Sequence, residues 1–511
     1  MLAGKSGPKN KKPTPTEIIG GKTKNEKMKL NRIIVAAIVG THIASTVFAA
    51  GDAATNGATE IETLKQEVQE LDQKVRILER ERENDQDTAA ATAKTVPKIT
   101  LGASGFGFSS ADSNFVATIH GLVQVDSRTF AHDDNVQGND SILLRRLRPI
   151  ISGTVFHDFD FLFVPEFGNG TPGAASAATT PSVFDAYVNY RYSPAIQIQA
   201  GKFKGPIGLE YLQADTYTFF NERSIATDLI PGRDLGFELH GDLFGGVLNY
   251  AAGIFNGVGD GQKNSSNIGF QNNREFDGRL FVQPFKTASV TALQNLGVGV
   301  GGSWGKSSIT NTLGLPNTTG GSQPGFYTDG QQQFFAYTNG VVAANTHWRL
   351  SPQASYFYGP FGLLAEYVIS DQDVRNGTHS ADLQNTAWEI SGGWVLTGED
   401  ATYTGVTPRH PFDPRNGHWG ALQVVGRYSE LDVDKAAFPL FANSAVSASS
   451  AQEWSVGLNW YLNRNIRVNA SYARTTFTGG GAGTGAAALS APGAVTAHPE
   501  DVFFTRVQLG F

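Results

Sequence analysis

Three arginines stand close together in the stretch LLRRLRPI, at Arg145, Arg146 and Arg148. A guanidinium group presents forked N–H donors that match the oxygens of phosphate and carboxylate groups, so such a cluster can bind anions. Because the flanking residues are Leu, Ile and Pro, the stretch has the character of a β-strand with one apolar face. Arg146 and Arg148 share one face, whereas Arg145 falls on the apolar face with Leu147. The spacing therefore predicts two stacked cations, Arg146 and Arg148, on the polar face and one charge, Arg145, on the apolar face.

The same alternation of polar and apolar residues continues from about residue 115 to the end of the chain. In 183–192, for example, Phe184 and Val188 lie on the apolar face and Asp185 on the polar face. Clusters of Gly, Asn, Asp and Pro separate the segments, as turns do. The alternating segments lie near 115–128, 141–155, 157–167, 183–192, 195–203, 235–243, 246–256, 274–285, 295–305, 344–357, 361–370, 386–396, 417–430, 452–462, 465–477 and 501–511.

This pattern predicts an all-β fold, a transmembrane antiparallel β-barrel of about 16 strands over residues 99–511. The apolar faces would contact lipid and the polar faces a water-filled lumen, and closure leaves no strand edge in the membrane. The alternative is a soluble β-sandwich or propeller. Its outer face would carry more Lys and Glu than this sparse polar face, which is rich in Gly, Gln and Asn.

On the barrel hypothesis, Arg146 and Arg148 point into the lumen as an anion-contact pair. Arg145 must then lie at the rim, snorkel, or be turned inward by a bulge, because a mid-membrane arginine on the lipid face costs about 2–4 kcal/mol. The other predicted lumen bases are Arg128, Arg279, Arg349, Arg427, Arg467 and Arg506. The predicted lumen acids are Asp126, Asp160, Asp185, Glu238, Asp277 and Glu389. Since the lumen is mixed in sign, anion preference stays open, and arginines paired with acids would be wall structure only.

The stretch 204–234 is too long for a turn between strands and is rich in charge. It carries Lys204, Glu210, Asp215, Glu222, Arg223, Asp228, Arg233 and Asp234. We expect it to fold into the lumen and form a constriction. The alternative is a solvated outer loop.

The N-terminal part of the chain carries targeting signals rather than barrel strands. Residues 1–27 are polar and Lys-rich, and residues 28–49 have the charged start, short apolar run and small-residue end of a secretory signal peptide. The alternative for the latter is a short membrane anchor. Residues 1–49 hold 9 Lys/Arg and 2 Asp/Glu, so the rest has 31 bases and 45 acids. That acidic body argues against nucleic-acid binding.

A heptad pattern precedes the barrel, within a predicted periplasmic coiled coil and linker over 50–98. Spacings of three and four define the seam Ile61, Leu64, Val68, Leu71, Val75 and Leu78. About three heptads are marginal for a lone helix, so the segment should need partner chains. β-Branched residues at one seam position favour two strands. The alternative is an amphipathic helix folded onto the rest of the chain, and residues 84–98 are predicted to be a linker.

Several stretches together resemble the phosphate-selective porin O and P family. They are LRRLRPIISG, GKFKGPIGLEYLQADTYTFFNERS (201–224), GRDLGFELHGDLFGGVLNYAAGIFNG (232–257), LTGE (396–399), GRYSELDVD (426–434) and GLNWYLNRNIRVNASYART (457–475). The likeness covers roughly residues 100–511 and implies a homotrimer of 16-stranded channels, with a three-stranded coil. It also matches Lys202, Lys204 and Arg223 to basic positions near the family's anion path, and we group Arg233 with them. A terminal strand ending in Phe511 resembles the signal read by the outer-membrane barrel-assembly machinery.

The candidate enzyme motifs in the sequence are incomplete. GGSWGKSS (301–308) lacks the first Gly of a phosphate-binding loop, and the ten His show no metal-ligand spacing. His120, His240 and His347 fall on lumen faces as wall residues. We therefore expect no enzyme activity, no cofactor and no metal.

The expected function is passive diffusion of small solutes across the Gram-negative outer membrane, with inorganic anions such as phosphate or polyphosphate as permeants. One alternative is a weakly selective porin. Another is a structural protein that tethers peptidoglycan through its coiled coil. Outer-membrane lipid and further copies of the chain are the expected partners.

Overall fold

The computed structural model describes residues 56–93, 95–131, 140–168, 181–262, 274–306, 314–316, 323–480 and 497–511. The predicted extension and signal peptide, 1–49, lie outside the described residues. The chain divides into two compact units, Met1–Thr92 and Ala93–Phe511.

The first unit contains one long helix, α1 (Asn56–Ala93). Its seam side chains are 49–63% exposed, so nothing among the residues that the structure describes covers them. Two exposed i,i+4 ion pairs, Lys74–Glu70 and Arg76–Asp72, lie along it at 2.6 and 2.9 Å. The helix runs through most of the segment predicted as a linker. That prediction is wrong up to Ala93, because an Ala-rich sequence has high helix propensity.

The described residues of the second unit contain 22 strands. In chain order they are β1 (Lys98–Gly102), β2 (Gly105–Ser109), β3 (Phe115–Ala131), β4 (Ser141–Val155), β5 (Phe159–Glu166), β6 (Ser182–Ser193), β7 (Ile196–Lys204), β8 (Arg233–Leu243), β9 (Leu248–Phe255), β10 (Glu275–Val282), β11 (Gly297–Lys306), β12 (Gly325–Tyr327), β13 (Gln333–Ala336), β14 (Val341–Tyr358), β15 (Phe361–Asn376), β16 (His379–Val395), β17 (Ala401–Thr402), β18 (Gly405–Val406), β19 (Ala421–Asp432), β20 (Ala448–Tyr461), β21 (Ile466–Gly479) and β22 (Glu500–Gly510). A short helix, α2 (Leu209–Leu212), lies between β7 and β8. Among the described residues, no helix is long and apolar enough to cross a membrane.

Sixteen of these strands form one closed antiparallel barrel. Each pairs with its neighbour along the chain from β3 to β11, through β14, β15, β16 and β19, to β22. β22 then pairs with β3, with Arg506 opposite Asp126, which closes the barrel. The predicted all-β antiparallel barrel of about 16 strands is confirmed. The hairpins β1–β2, β12–β13 and β17–β18 are additional to the barrel wall.

The barrel has a rim with mostly short turns and a rim with mostly long connections. At the first, here called the short-turn rim, the connections are 156–158, 194–195, 244–247, 283–296, 359–360, 396–420 and 462–465. The opposite rim carries longer connections, 205–232 among them. In outer-membrane barrels the short turns face the periplasm.

Burial along the wall is reversed relative to a soluble protein. Outward side chains such as Phe163, Trp394 and Val507 are 42–53% exposed. The inward Arg128, Arg349 and Arg506 are instead almost completely buried. An apolar outside and a polar inside are what a lipid-facing barrel requires.

A β-bulge in β4 settles the position of Arg145. Gln124 pairs with Arg146 and Val125 with Leu144, so Arg145 is the extra residue between them. The bulge brings Arg145 and Arg146 to the same side of the wall. The Arg145 side chain is 16% exposed and contacts a carboxylate inside the barrel. Its assignment to the lipid face by simple alternation is therefore wrong, and the bulge is the alternative that holds.

A second bulge in β6 turns an aromatic residue inward. Val164 pairs with Asp185 and Pro165 with Val183, so Phe184 is the extra residue between them in the strand register. Phe184 is 6% exposed, whereas the alternation placed it on the lipid face. That assignment is also wrong, for the same physical reason.

Candidate functional site

The connection between β7 and β8, residues 205–232, lies inside the barrel and is called the lumen segment below. Its carbonyl oxygens accept hydrogen bonds from inward side chains of five strands. The pairs are Gln124 to Asp215 (3.1 Å), Arg467 to Thr218 (2.8 Å), Asn459 to Phe219 (2.9 Å), Arg506 to Asn221 (2.6 Å) and Arg427 to Glu222 (3.0 Å). The segment thus crosses the lumen against β3 and β19–β22. This location agrees with the expectation that the segment folds into the lumen and not with a solvated outer loop. Its role as a constriction stays a prediction.

Two charged side chains of the wall hold the ends of α2 within this segment. The carboxylate of Glu366 accepts the backbone N–H groups of Leu209 and Glu210, at 3.0 and 3.3 Å. At the other end, Lys204 Nζ donates to the carbonyl oxygens of residues 211, 212 and 213, at 2.6, 3.2 and 2.9 Å. Free N–H groups at a helix start and free carbonyls at its end require such partners. Lys204, a predicted constriction base, therefore anchors the segment.

Glu222 is the main ionic contact of the lumen segment. Arg145 Nε and Nη2 donate to its two carboxylate oxygens at 2.6 and 3.0 Å. Arg128 Nη2 lies 2.8 Å away, and Arg506 and Arg146 approach within 3.5 and 3.9 Å. Burial alone would raise the pKa of this carboxyl, but the attraction of Arg145, Arg128 and Arg146 outweighs it. The pKa of Glu222, outside the spanning strands, is held well below its usual range.

Asp215 is the second ionic contact and pairs with three arginines. Arg146 Nε lies 3.2 Å from its carboxylate and Arg223 Nη1 2.7 Å, and Arg148 donates to it directly. Arg148 also pairs with Glu166 on β5. Burial opposes ionisation of Asp215, yet these arginines lower the pKa of Asp215 well below its usual range. The stacked Arg146 and Arg148 are thus both in contact with acids.

The remaining predicted bases are positioned in different ways. Arg233 Nε donates to Asp185 at 2.8 Å, and the buried Lys202 lies on the same inner wall. Arg223 also donates to the carbonyl oxygens of Glu210 and Gln213 (3.1 and 2.7 Å). Arg279 instead donates to Gln353 and Asn249, at 2.9 and 3.1 Å, and within the described residues no carboxylate lies within 4.0 Å of it.

Three cavities follow one another beside the lumen segment. The first, of about 410 Å³, lies towards the long-connection rim and is lined by Arg145, Lys202 and Thr328, among others. The second, of about 490 Å³, lies between the segment and β5–β8. The third, of about 320 Å³, opens at the short-turn rim near His120 and Arg467. The first cavity shares lining residues with the second, and the second with the third, so the three lie in series beside the lumen segment.

The first two cavities meet at Arg148, Phe184, Asp215 and Arg233. The guanidinium carbons of Arg148 and Arg233 lie 3.5 and 3.4 Å from the centroid of the Phe184 ring. Such contacts hold both cations against the ring at the junction. Phe184 escaped the sequence prediction because only the bulge brings it inside. Pro165, opposite the bulge, was the available signal, since Pro in a strand often marks one.

Comparison with known proteins decides the family. The family model of phosphate-selective porin O and P matches residues 118–485. The chain belongs to this family. The match spans strands β3 to β21 and includes the lumen segment, so the resemblance expected from the sequence is confirmed.

Individual relatives are distant from this chain. Porin O of Pseudomonas aeruginosa is 23% identical over 392 residues, which cover 72% of this chain and 85% of that protein. The outer membrane channel DcaP of Acinetobacter baumannii is 10% identical with a TM-score of 0.49, covering 79% of this chain and 99% of that one. An anion-selective porin from Comamonas acidovorans is 12% identical with a TM-score of 0.44, covering 78% and 100%. Family and barrel indicate an outer-membrane channel rather than an enzyme.

Proposed function

We propose that this chain forms a water-filled outer-membrane channel for passive diffusion of small anions, with phosphate or polyphosphate as the preferred permeants. The observation that carries the proposal is the series of three adjoining cavities between the lumen segment and the wall. Arg148 and Arg233 supply positive charge where the first two cavities meet. Wall charge and width decide which solute passes such a route.

Charge along this route supports a moderate preference rather than strict exclusion of cations. The first cavity is lined by six bases, Arg145, Arg146, Arg148, Lys202, Arg223 and Arg233, and by five acids, Glu166, Asp215, Glu222, Asp228 and Asp329. Bases exceed acids by one, and because burial raises the pKa of Asp228 to about 8, that acid is mostly neutral at pH 7. The resulting excess of positive charge favours anions. A passing anion would compete with the acids for Arg148 and Arg233, and a weakly selective porin remains the neighbouring alternative.

Assembly as a homotrimer is part of the proposal. The exposed seam of α1 would be covered by the same seam of further copies, and shared symmetry would let coil and barrels use one axis. Outer-membrane lipid would cover the outward face. The strand that ends at Phe511 would be recognised by the barrel-assembly machinery, and α1 would lie in the periplasm.

Planar-bilayer recording tests the function. The purified full chain should give stepwise conductance. In a salt gradient, the reversal potential should have the sign that a channel more permeable to anions than to cations produces. Phosphate at millimolar concentration should reduce the chloride current. Absence of conductance steps would contradict the channel, and a reversal potential on the cation side would contradict the anion preference.

A structural role is the second candidate, because 38 residues of helix precede the barrel wall. At about 1.5 Å per residue such a helix is long enough to reach towards the cell wall. Co-sedimentation of the full chain with purified peptidoglycan tests this role. Binding lost on removal of residues 50–93, with conductance retained, would support it.

A further inference from the structure

A fourth cavity, called the turn cavity below, lies within the connection 396–420 at the short-turn rim. Its volume is about 390 Å³, and its lining residues differ from those of the three cavities beside the lumen segment. The lining combines three charged side chains with three threonine hydroxyls: Glu399, Asp400, Arg409, Thr402, Thr404 and Thr407. This mixture of charges and hydroxyls has no part in the route proposed for anions.

The hairpin β17–β18 gives the turn cavity a fixed wall. The hydroxyl of Tyr403, in the hairpin turn, donates to the carbonyl oxygen of Leu209 at 2.6 Å, which joins the hairpin to the lumen segment. Thr402 and Thr404 of the same hairpin are exposed and line the cavity. Thr402 Oγ1 also donates to the carbonyl oxygen of Gly405 at 2.8 Å. A wall that is ordered before the ligand arrives lowers the entropy that binding costs.

Two of the three charges in the turn cavity lack an ionic partner. Glu399 is 6% exposed, and its carboxylate accepts the Thr397 hydroxyl and the Arg409 backbone N–H. Burial would raise the pKa of Glu399, but these hydrogen bonds outweigh it and hold the pKa below its usual range. Asp400 and Arg409 are exposed, and among the described residues neither forms an ion pair. Arg409 Nη2 donates to the carbonyl oxygen of Gly398 at 2.5 Å.

Opposite charges without partners in one cavity disfavour a simple ion as the ligand. Asp400 repels an inorganic anion, and Arg409 repels a metal ion. A ligand that carries both a carboxylate and an ammonium group suits both side chains. Because the lining has two acids, Glu399 and Asp400, against one base, the charges balance when the ligand brings one further ammonium group.

We propose that the turn cavity binds an α-amino acid whose side chain carries a second ammonium group. The forked N–H donors of Arg409 hold the α-carboxylate, and Asp400 accepts from the α-ammonium group. The side-chain ammonium group lies beside Glu399, and the threonine hydroxyls supply neutral acceptors. The inference goes beyond the channel function, since this ligand does not have to cross the barrel.

Two sources share this ligand chemistry, a free basic amino acid and a diamino residue of the cell-wall peptide. In outer-membrane barrels the short-turn rim faces the periplasm, where both occur. The two probes are therefore L-lysine and soluble wall-peptide fragments that end in a diamino acid. Tighter binding of the fragments than of L-lysine identifies the wall as the source, and weaker binding identifies the free amino acid.

Isothermal titration calorimetry of the purified full chain with L-lysine tests the site without any measurement of conductance. Binding should saturate, and Asp400→Asn and Arg409→Gln should each weaken it about tenfold, the effect of losing one charge-assisted contact. Both residues are exposed, so both variants should fold. L-Norleucine, which lacks the side-chain ammonium group, should bind about tenfold more weakly than L-lysine.

Matched controls make the same changes outside the cavity. Asp158→Asn alters an exposed acid of another short turn, and Arg415→Gln alters an exposed base of the same connection. The affinity of both controls for L-lysine should stay within about twofold of the parent.

Four results would overturn the site: no saturable binding of either probe, an affinity within about twofold of the parent in Asp400→Asn or Arg409→Gln, equal binding of L-norleucine, or an equal loss in the controls. Failure of the proposed channel is distinguishable, because it shows as absent conductance steps while L-lysine binding is intact.

Discussion

Arg145 Nε and Glu222 Oε1 lie 2.6 Å apart, joining an extra residue in the barrel wall to the segment that crosses the lumen. Arg145 is the extra residue of the bulge in β4. Its partner, Glu222, lies 77 residues later in the chain, in the lumen segment. Ion pairs therefore join the barrel wall to the lumen segment. The position of the segment depends on contacts between residues that are far apart in the sequence.

Replacement of Glu222 by Gln should destabilise the folded barrel by about 3–5 kcal/mol, because it leaves Arg145 buried without its anion. Among the described residues, Arg128 keeps only the more distant Asp126, at 3.6 Å. Unfolding in denaturant, followed by loss of the folded electrophoretic band, measures the change. Glu70→Gln is the control, since its Lys74 partner is exposed on α1 and the expected loss is below about 1 kcal/mol. Equal stability of Glu222→Gln and the parent would show that the ionic contact does not hold the segment.

Two lysines two positions apart on β7 should have separable roles. Lys204→Met removes three hydrogen bonds to the end of α2, so the lumen segment should loosen and the open-channel current should become noisier. Lys202→Met, which removes a charge from the lining of the first cavity, should instead lower the anion-to-cation permeability ratio. Reversal potentials and current noise measure both. Interchanged effects would contradict the assignment of Lys204 as an anchor.

Acidification should leave the lumen segment docked until well below neutral pH. Because the folded pKa values of Asp215 and Glu222 are lowered, their stabilisation is present above the ordinary carboxyl pKa of about 4 and is lost as pH falls through the folded values. Burial raises the pKa of Asp228 to about 8, so a series begun at about pH 7 avoids most of its titration. Conductance should stay constant from about pH 7 to pH 5. New closures within that range would contradict the paired state of the two acids.

The α1 seam should bring identical chains together. Since the chain has no cysteine, Leu71→Cys introduces a single thiol on the seam, and mild oxidation should give covalent dimers. Gln73→Cys, off the seam, is the matched control and should cross-link far less. Equal cross-linking at both positions, or none at Leu71→Cys, would favour the alternative of a helix that packs without partner chains.

The barrel was predictable because its signal is local and repeated. The two-residue alternation follows from a wall that faces lipid on one side and water on the other. The turn residues and the strand that ends at Phe511 are likewise visible in short stretches of sequence. The inward direction of Arg146 and Arg148 follows from the same rule.

The candidate site was less predictable, because bulges and ion pairs join distant residues. Alternation assigns Arg145 and Phe184 to lipid, and one extra residue in each strand reverses that. Likewise, the sequence contains Asp215 and Glu222 but not their distances to the arginines. Only the folded lumen segment shows which bases contact acids and that Arg467 contacts neutral acceptors instead.

In the proposed channel, solutes pass the junction of Arg148, Phe184 and Arg233. Phe184→Cys places a single thiol there in a chain without cysteine, and a negatively charged methanethiosulfonate reagent can be applied to open channels in a bilayer. Phe163→Cys, on the outward face of neighbouring β5, is the control. Modification of Phe184→Cys should reduce each conductance step by more than half, while modified Phe163→Cys conducts as before. Undiminished steps from fully modified Phe184→Cys would contradict the route.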